Sequence, residues 1–136
     1  MNIAIVIASW VVALYTAYGF YKPGKFKLTT PISGLLEAGF GWVSKVPAFV
    51  VRLIALLELV GAAGLILARI AQDFFRYDWA QPWGVAAGAG LALTMLVAGW
   101  MHIARGEFKY TWKSNVKLFA VAAVSAVLFA LVNYAA

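Results

Sequence analysis

Cysteine is absent from this chain. That removes disulfides, thiol redox chemistry, thiolate metal sites and S-acylation. There is one histidine, His102, so a bis-histidine haem within one chain is impossible. His102, Glu58 and the three methionines form no ligand set of known spacing, and no metal site is expected. Charge is scarce as well. Only 12% of the 136 residues are Asp, Glu, Lys or Arg, against about 25% in a soluble domain. Negative charge is scarcest, with five acidic residues against eleven Lys and Arg. No glycine-rich phosphate cradle occurs, because Gly84, Gly88 and Gly90 sit within or at the edge of an apolar run. The basic stretches lack the aromatic platforms and folded context of a nucleic-acid module, so no nucleic-acid partner is expected. No repeat, low-complexity tract or second domain is visible.

What is abundant is apolar. Hydrophobic residues make up 65% of the chain and the mean hydropathy is +0.88, the composition of an integral membrane protein. Four apolar segments run over about 3–21, 49–68, 83–103 and 116–134, each close to the ~20 residues a spanning helix needs. Strands of a barrel would be half as long and would alternate. The expected fold is all-α, a single membrane domain over 1–136 forming an antiparallel bundle of four transmembrane helices. The N-terminus lacks a basic region or a small-residue cleavage site, so the first segment is expected to be a retained helix.

Loop charge orients the bundle. Lys22, Lys25, Lys27, Lys45 and Arg52 flank the first connection, and Arg105, Lys109, Lys113 and Lys117 flank the third. Only Arg69 and Arg76 lie on the other side, beside Asp73 and Asp78. The positive-inside rule puts the basic connections in the cytoplasm and both termini outside. Tyr77, Trp79, Trp83 and Tyr134 suit the outer interface belt; Tyr21, Trp42, Tyr110 and Trp112 suit the inner one. The first connection is expected to hold a short helix, with Thr30 as N-cap, Pro31 as first helical residue and an end before Pro47. Either it leans on the bundle as an interfacial or re-entrant helix, or it lies on anionic lipid as a surface amphipathic helix.

Glu58 is the residue that most needs explaining, being a lone carboxylate near the centre of the most apolar run. Intramembrane ionisable residues are expensive and mark function by default. Counting from the span ends places Ser9, Trp10, Thr94 and Ser125 at its level. Its own helical face carries Ile54, Ala55, Gly61, Ala62 and Leu65, small enough to face inward. A carboxyl so placed is expected to be neutral, able to donate one hydrogen bond and accept others. Two readings stand. Glu58 staples helices together through Trp10, Thr94 or Ser125, or it serves a ligand or a proton within the bundle.

A second constellation closes the third span. His102 lies on a face with Met95, Ala98 and Gly99, and Arg105 follows at i+3. Together with Arg52 and Glu107 these are expected to form a polar cluster at the inner mouth, where an imidazole titrates near physiological pH. The plainer alternative is a histidine bonded to a loop carbonyl beside ordinary end-of-span charges. Gly84-Val-Ala-Ala-Gly88 has the small-xxx-small pattern of a close helix contact, within or between subunits.

These residues carry a family resemblance. Arg52-Leu-Ile-Ala-Leu-Leu-Glu58-Leu-Val-Gly61-Ala-Ala-Gly64-Leu65 resembles the second span of the DoxX-like family of small four-span bacterial proteins. The run from Leu91 through Met95 and Ala98 to His102, closing on Arg105-Gly106-Glu107, resembles its third, and Phe20-Tyr-Lys22 echoes an aromatic-lysine element. The resemblance extends from about Lys22 to Glu107. Some members resemble the membrane subunit of a thiosulfate:quinone oxidoreductase, and others accompany redox complexes or act as assembly factors. It implies an accessory membrane subunit, not an enzyme on its own and without catalytic residues. Such a subunit would bind a lipophilic ligand, a quinone among them, and no covalent cofactor. The expected ligand-binding residues are Glu58, His102, Arg52, Arg105, Trp10, Thr94 and Ser125. The expected partners are membrane lipid, a protein met in the membrane or at the basic face, and a second copy of the chain. The rival readings are a scaffold or assembly chaperone and a small proton-coupled transporter of a lipophilic solute.

Overall fold

In a computed structural model, which describes residues 3–132, the chain folds into five α-helices and no strand among those residues. Helix α1 spans Ile3–Thr29, α2 Ile32–Glu37, α3 Ala48–Asp73, α4 Ala80–Ala104 and α5 Phe108–Leu131. A 3-10 helix, Gly41–Lys45, follows α2. The long helices α1, α3, α4 and α5 are each apolar enough to cross a membrane. At ~1.5 Å per residue they measure ~36–40 Å, enough for a hydrocarbon core of ~30 Å.

They form a closed antiparallel ring in which α1 packs on α3 and α5, and α4 packs on α3 and α5. Which residues face outward identifies the solvent. On α3, Leu53, Leu56, Leu57, Val60 and Leu67 are exposed, while Glu58 and Arg69 are buried. Ser9, Thr16, Lys27, Gln72 and Ser125 are buried too. Apolar side chains on the outside and paired polar ones on the inside are the arrangement hydrocarbon imposes.

Two kinds of contact hold the ring. Glycine lets α4 and α5 approach closely. A Cβ on Gly84 would fall 2.2 Å from the Phe129 ring, and one on Gly88 would fall 2.9 Å from the backbone nitrogen of Ala126. The small-xxx-small pair therefore serves a contact within the subunit. Elsewhere, side chains satisfy helix ends. Gln81 Nε2 donates to the carbonyls of Phe129, Ala130 and Val132, and Gln72 Nε2 donates to Val132 at 2.7 Å. These are carbonyls that the end of α5 leaves without helical partners.

Several expected boundaries move. Helix α1 does not stop at Tyr21 but runs through Pro23 to Thr29. Pro23 and Gly24 look like a stop signal. Here Gly24 is buried against Leu59 and the Ala55 carbonyl, and Arg52 accepts the role of capping the helix by donating to the carbonyls of Lys27 and Thr30. Helix α5 begins at Phe108, not near Val116. Tyr134 lies outside the described residues. Pro31, not Thr30, caps α2: its carbonyl accepts the Leu35 N–H at 3.0 Å. Trp42 leaves the expected belt and is buried with Leu35, Val43 and Val51, so the first connection folds against α3 and the end of α4. Tyr77, Trp79 and Trp83 are exposed in a run of ring contacts, as the other belt requires.

Gly88→Ala is expected to destabilise the bundle by roughly 1–3 kcal/mol, since the opposing atoms are backbone and cannot rotate away. Gly90→Ala, with nothing within 4 Å of its added methyl, is expected to raise the unfolding midpoint in detergent slightly, by the ~0.5–1 kcal/mol that alanine gains over glycine within a helix. Equal shifts in the two variants would show that the α4–α5 contact is not this close.

Candidate functional site

The long α1 changes what Glu58 meets. With α1 extended by two turns, Lys27 comes level with Glu58, and Lys27 Nζ donates to Glu58 Oε1. The carboxyl is therefore not alone, and its partner is neither Trp10, Thr94 nor Ser125. Lys27 and Glu58 are both buried. A pair of this kind offsets the cost of desolvating each charge, and removing one partner leaves the other stranded. The ammonium has three N–H donors and gives one to Glu58.

Both side chains line a cavity of about 630 Å³ between the basic ends of α1, α3, α4 and α5, with Phe40 and Trp42 of the first connection also in its lining. Three of the expected site residues line it together: Glu58, Thr94 and His102. The Thr94 hydroxyl is turned to its own helix and donates to the Gly90 carbonyl at 2.9 Å. Ile54, Leu57, Leu93, Val97, Met101 and Leu118 make the walls apolar.

At the mouth, His102 Nδ1 and Glu107 Oε1 are 2.8 Å apart, and Arg105 Nε donates to the same oxygen at 3.1 Å. Glu107 sits just before α5, after Gly106, whose φ of 70° turns the chain back with no Cβ in the way. The His102 hydrogen bond and the neighbouring Arg105 charge hold the Glu107 carboxyl below the usual range. Thus His102, Arg105 and Glu107 form the expected cluster, and the imidazole contacts a carboxylate, not a loop carbonyl. Arg52 does not join it, because the α1 carbonyls take its guanidinium.

Two expected residues lie elsewhere. Trp10 packs edge-on against Phe74, with centroids 6.1 Å apart, at the far end of α3. Ser125 is buried with its hydroxyl lacking a hydrogen-bond partner among the described residues, and it does not line the cavity. Equal counting from span ends failed because α1 is displaced along α3 by its extra length.

Other residues escaped sequence reasoning. Arg69, expected as an end-of-span charge, is fully buried. It donates to Ser9 Oγ, Gln72 Oε1 and, at 3.1 Å, Asp73 Oδ1, and its guanidinium stacks 4.2 Å from the Phe129 ring. Gln72 and Asp73 at i+3 and i+4 were the available signal. Asn115 lines the cavity and donates to the Met95 carbonyl at 3.0 Å.

Four apolar helices around an internally paired polar core define a multi-pass membrane protein. Residues 11–132 match the DoxX-like family, and the chain belongs to it. The match takes in α5, beyond the part that carried the resemblance above. No curated protein and no solved structure matches the chain significantly.

Glu58→Leu alone is expected to cost about 3–5 kcal/mol, and Lys27→Met with Glu58→Leu to recover most of it. Unfolding midpoints of the singles and the double in one mild detergent measure this, and additive losses would mean the two groups are not coupled. For Glu107 the lowered acidity sets the sign. The contacts of its carboxylate are present above the usual carboxylate range and are lost as pH falls through the depressed value. Carbon NMR of the labelled carboxyl is expected to show titration below the ~4.3 of a free glutamate, moving up in His102→Ala.

Proposed function

We propose that this chain is an accessory membrane subunit that binds a lipophilic molecule with a small hydrogen-bonding head, a quinone being the class that fits best. It is not an enzyme on its own, and it works beside a redox complex in a bacterial inner membrane. The basic end faces the cytoplasm and both termini lie outside, as the loop charges favour.

The observation that carries this reading is the cavity holding the Lys27–Glu58 pair. Its size falls within the ~300–1,000 Å³ of small-molecule sites, and apolar walls with a few polar groups are their usual make-up. Leu57, Leu93 and Val97 line it and are also 55, 60 and 64% exposed on the outside of the bundle. The cavity therefore opens sideways towards lipid, the route an isoprenoid tail would take. Lys27 would give a remaining N–H to a ligand carbonyl, and His102 and Asn115 would orient the head from the mouth side. A bound quinone would supply the redox chemistry; the residues here bind, orient and exclude water.

Charge balance supports a neutral head. Lys27 is matched by Glu58, and Arg105 by Glu107, whose carboxyl also bonds the His102 ring. Among the described residues, the Lys or Arg that lines the cavity is Lys27, already paired with Glu58.

Mass spectrometry of organic extracts from gently solubilised protein tests this. The wild type is expected to retain one lipophilic ligand stoichiometrically. His102→Ala should weaken retention, and Lys27→Met with Glu58→Leu, chosen to keep the fold, should abolish it. Bulk lipid alone in all three, with a protein co-purifying, would sink the proposal in favour of a scaffold.

A further inference from the structure

Outside the bundle, independent of that cavity, lies a second polar arrangement at the seam of α1 and α5. Thr16 Oγ1 donates to the Val121 carbonyl at 3.2 Å. A Cβ on Gly19 would fall 2.9 Å from Leu118. These two contacts fix the register, so Lys22 of α1 lies in depth between Lys113 and Lys117 of α5. Lys117 Nζ crosses the seam to sit 5.1 Å from the Tyr15 ring centroid, and Lys22 Nζ lies 5.5 Å from that of Tyr18. All three lysines are exposed, and so are both tyrosines, by 46 and 62%.

Depth is what makes this unusual. Lys117 lies nine residues inside the start of α5, and Lys22 seven before the end of α1. At ~1.5 Å per residue that is ~14 and ~10 Å in from the helix ends. Lysines there extend their stems outward along the helices, so that their ammonium groups reach the headgroup region. Among the described residues the ion pairs join Lys27, Arg69, His102 and Arg105 to carboxylates, and none joins Lys22, Lys113 or Lys117. The bilayer carries negative charge just outside its hydrocarbon, in its phosphates.

We propose that the α1–α5 seam at the basic end is a binding site for the headgroup of an anionic phospholipid. Lys22 and Lys117 hold the phosphate from the two sides, Lys113 adds its charge nearer the water, and Tyr15 and Tyr18 pack on the glycerol and upper chain. Gly19 keeps the two helices close enough for one headgroup to span both lysines.

The test uses the full chain in vesicles of equal parts phosphatidylglycerol and phosphatidylcholine, released into mild detergent for native mass spectrometry. The wild type is expected to retain phosphatidylglycerol with roughly tenfold preference, given the strength of each lysine near an anionic surface. Lys22→Gln with Lys117→Gln should lose that preference. Lys45→Gln with Lys109→Gln removes the same charge elsewhere at the basic end and should keep it. Lys22→Arg with Lys117→Arg should also keep it, separating lost charge from a lost fold. Equal retention of the two lipids by the wild type would overturn the proposal. So would equal loss in both glutamine variants, or a second copy of the chain in place of lipid.

Discussion

A charge inside hydrocarbon must find its partner within the protein, and this bundle is organised around that requirement. Lys27–Glu58 ties α1 to α3 near the basic end, and Arg69 with Ser9 ties the same helices near the other. Two such points fix both the register and the direction of α1 along α3. Neither pair need add net stability over a well-packed apolar alternative. What each does is penalise every arrangement in which its partner is absent, including a one-turn slip of α1 that would carry Lys27 ~5.4 Å past Glu58.

Helices α4 and α5 are joined differently. Gly84 and Gly88 bring their backbones together, with Phe129 lying over Gly84. The bundle is thus two helix pairs, one held by ions and one by glycine, with different spacing between them. At the Arg69 end the space between pairs is filled by Phe129 and Leu65 beside the guanidinium. Towards the basic end the fillers are smaller or turned away: Thr94 bonds its own helix, and Ala98 and Asn115 are short. The cavity is what remains when the ionic pair and the glycine pair diverge.

Composition and loop charge made the four spans legible, because hydrocarbon thickness dictates their length whatever the sequence does in detail. The importance of Glu58 was legible for the same reason. Its partner was not. Pro23 and Gly24 follow a lysine and resemble a helix stop, and only tertiary contacts, Gly24 on Leu59 and Arg52 on the α1 carbonyls, carry the helix past them. Once α1 was read as ending at Tyr21, Lys27 became a loop charge and Trp10 slid into its place. Arg69 was misread in the same way. A charge near the end of an apolar run looks like a flank unless the residues one turn on, Gln72 and Asp73, are recognised as its solvation. His102 with Glu107 was easier, since five residues spanning a glycine turn leave few other partners.

The distribution of charge separates two ligand chemistries. Inside, each cation has its carboxylate, so the cavity offers hydrogen bonds and apolar wall but no net charge, which suits a neutral head. Outside, among the described residues, Lys22, Lys113 and Lys117 have no carboxylate, so the seam carries net positive charge that suits a lipid phosphate. An anionic head entering the cavity would meet Lys27 already matched by Glu58, and its own charge would be buried uncompensated, a penalty of several kcal/mol. A neutral ligand on the seam would leave the lysines uncompensated. The acids that are scarce in the sequence would thus sort the two proposed ligands: Glu58 and Glu107 disfavour an anion inside, and among the described residues no carboxylate pairs with Lys22 or Lys117 outside.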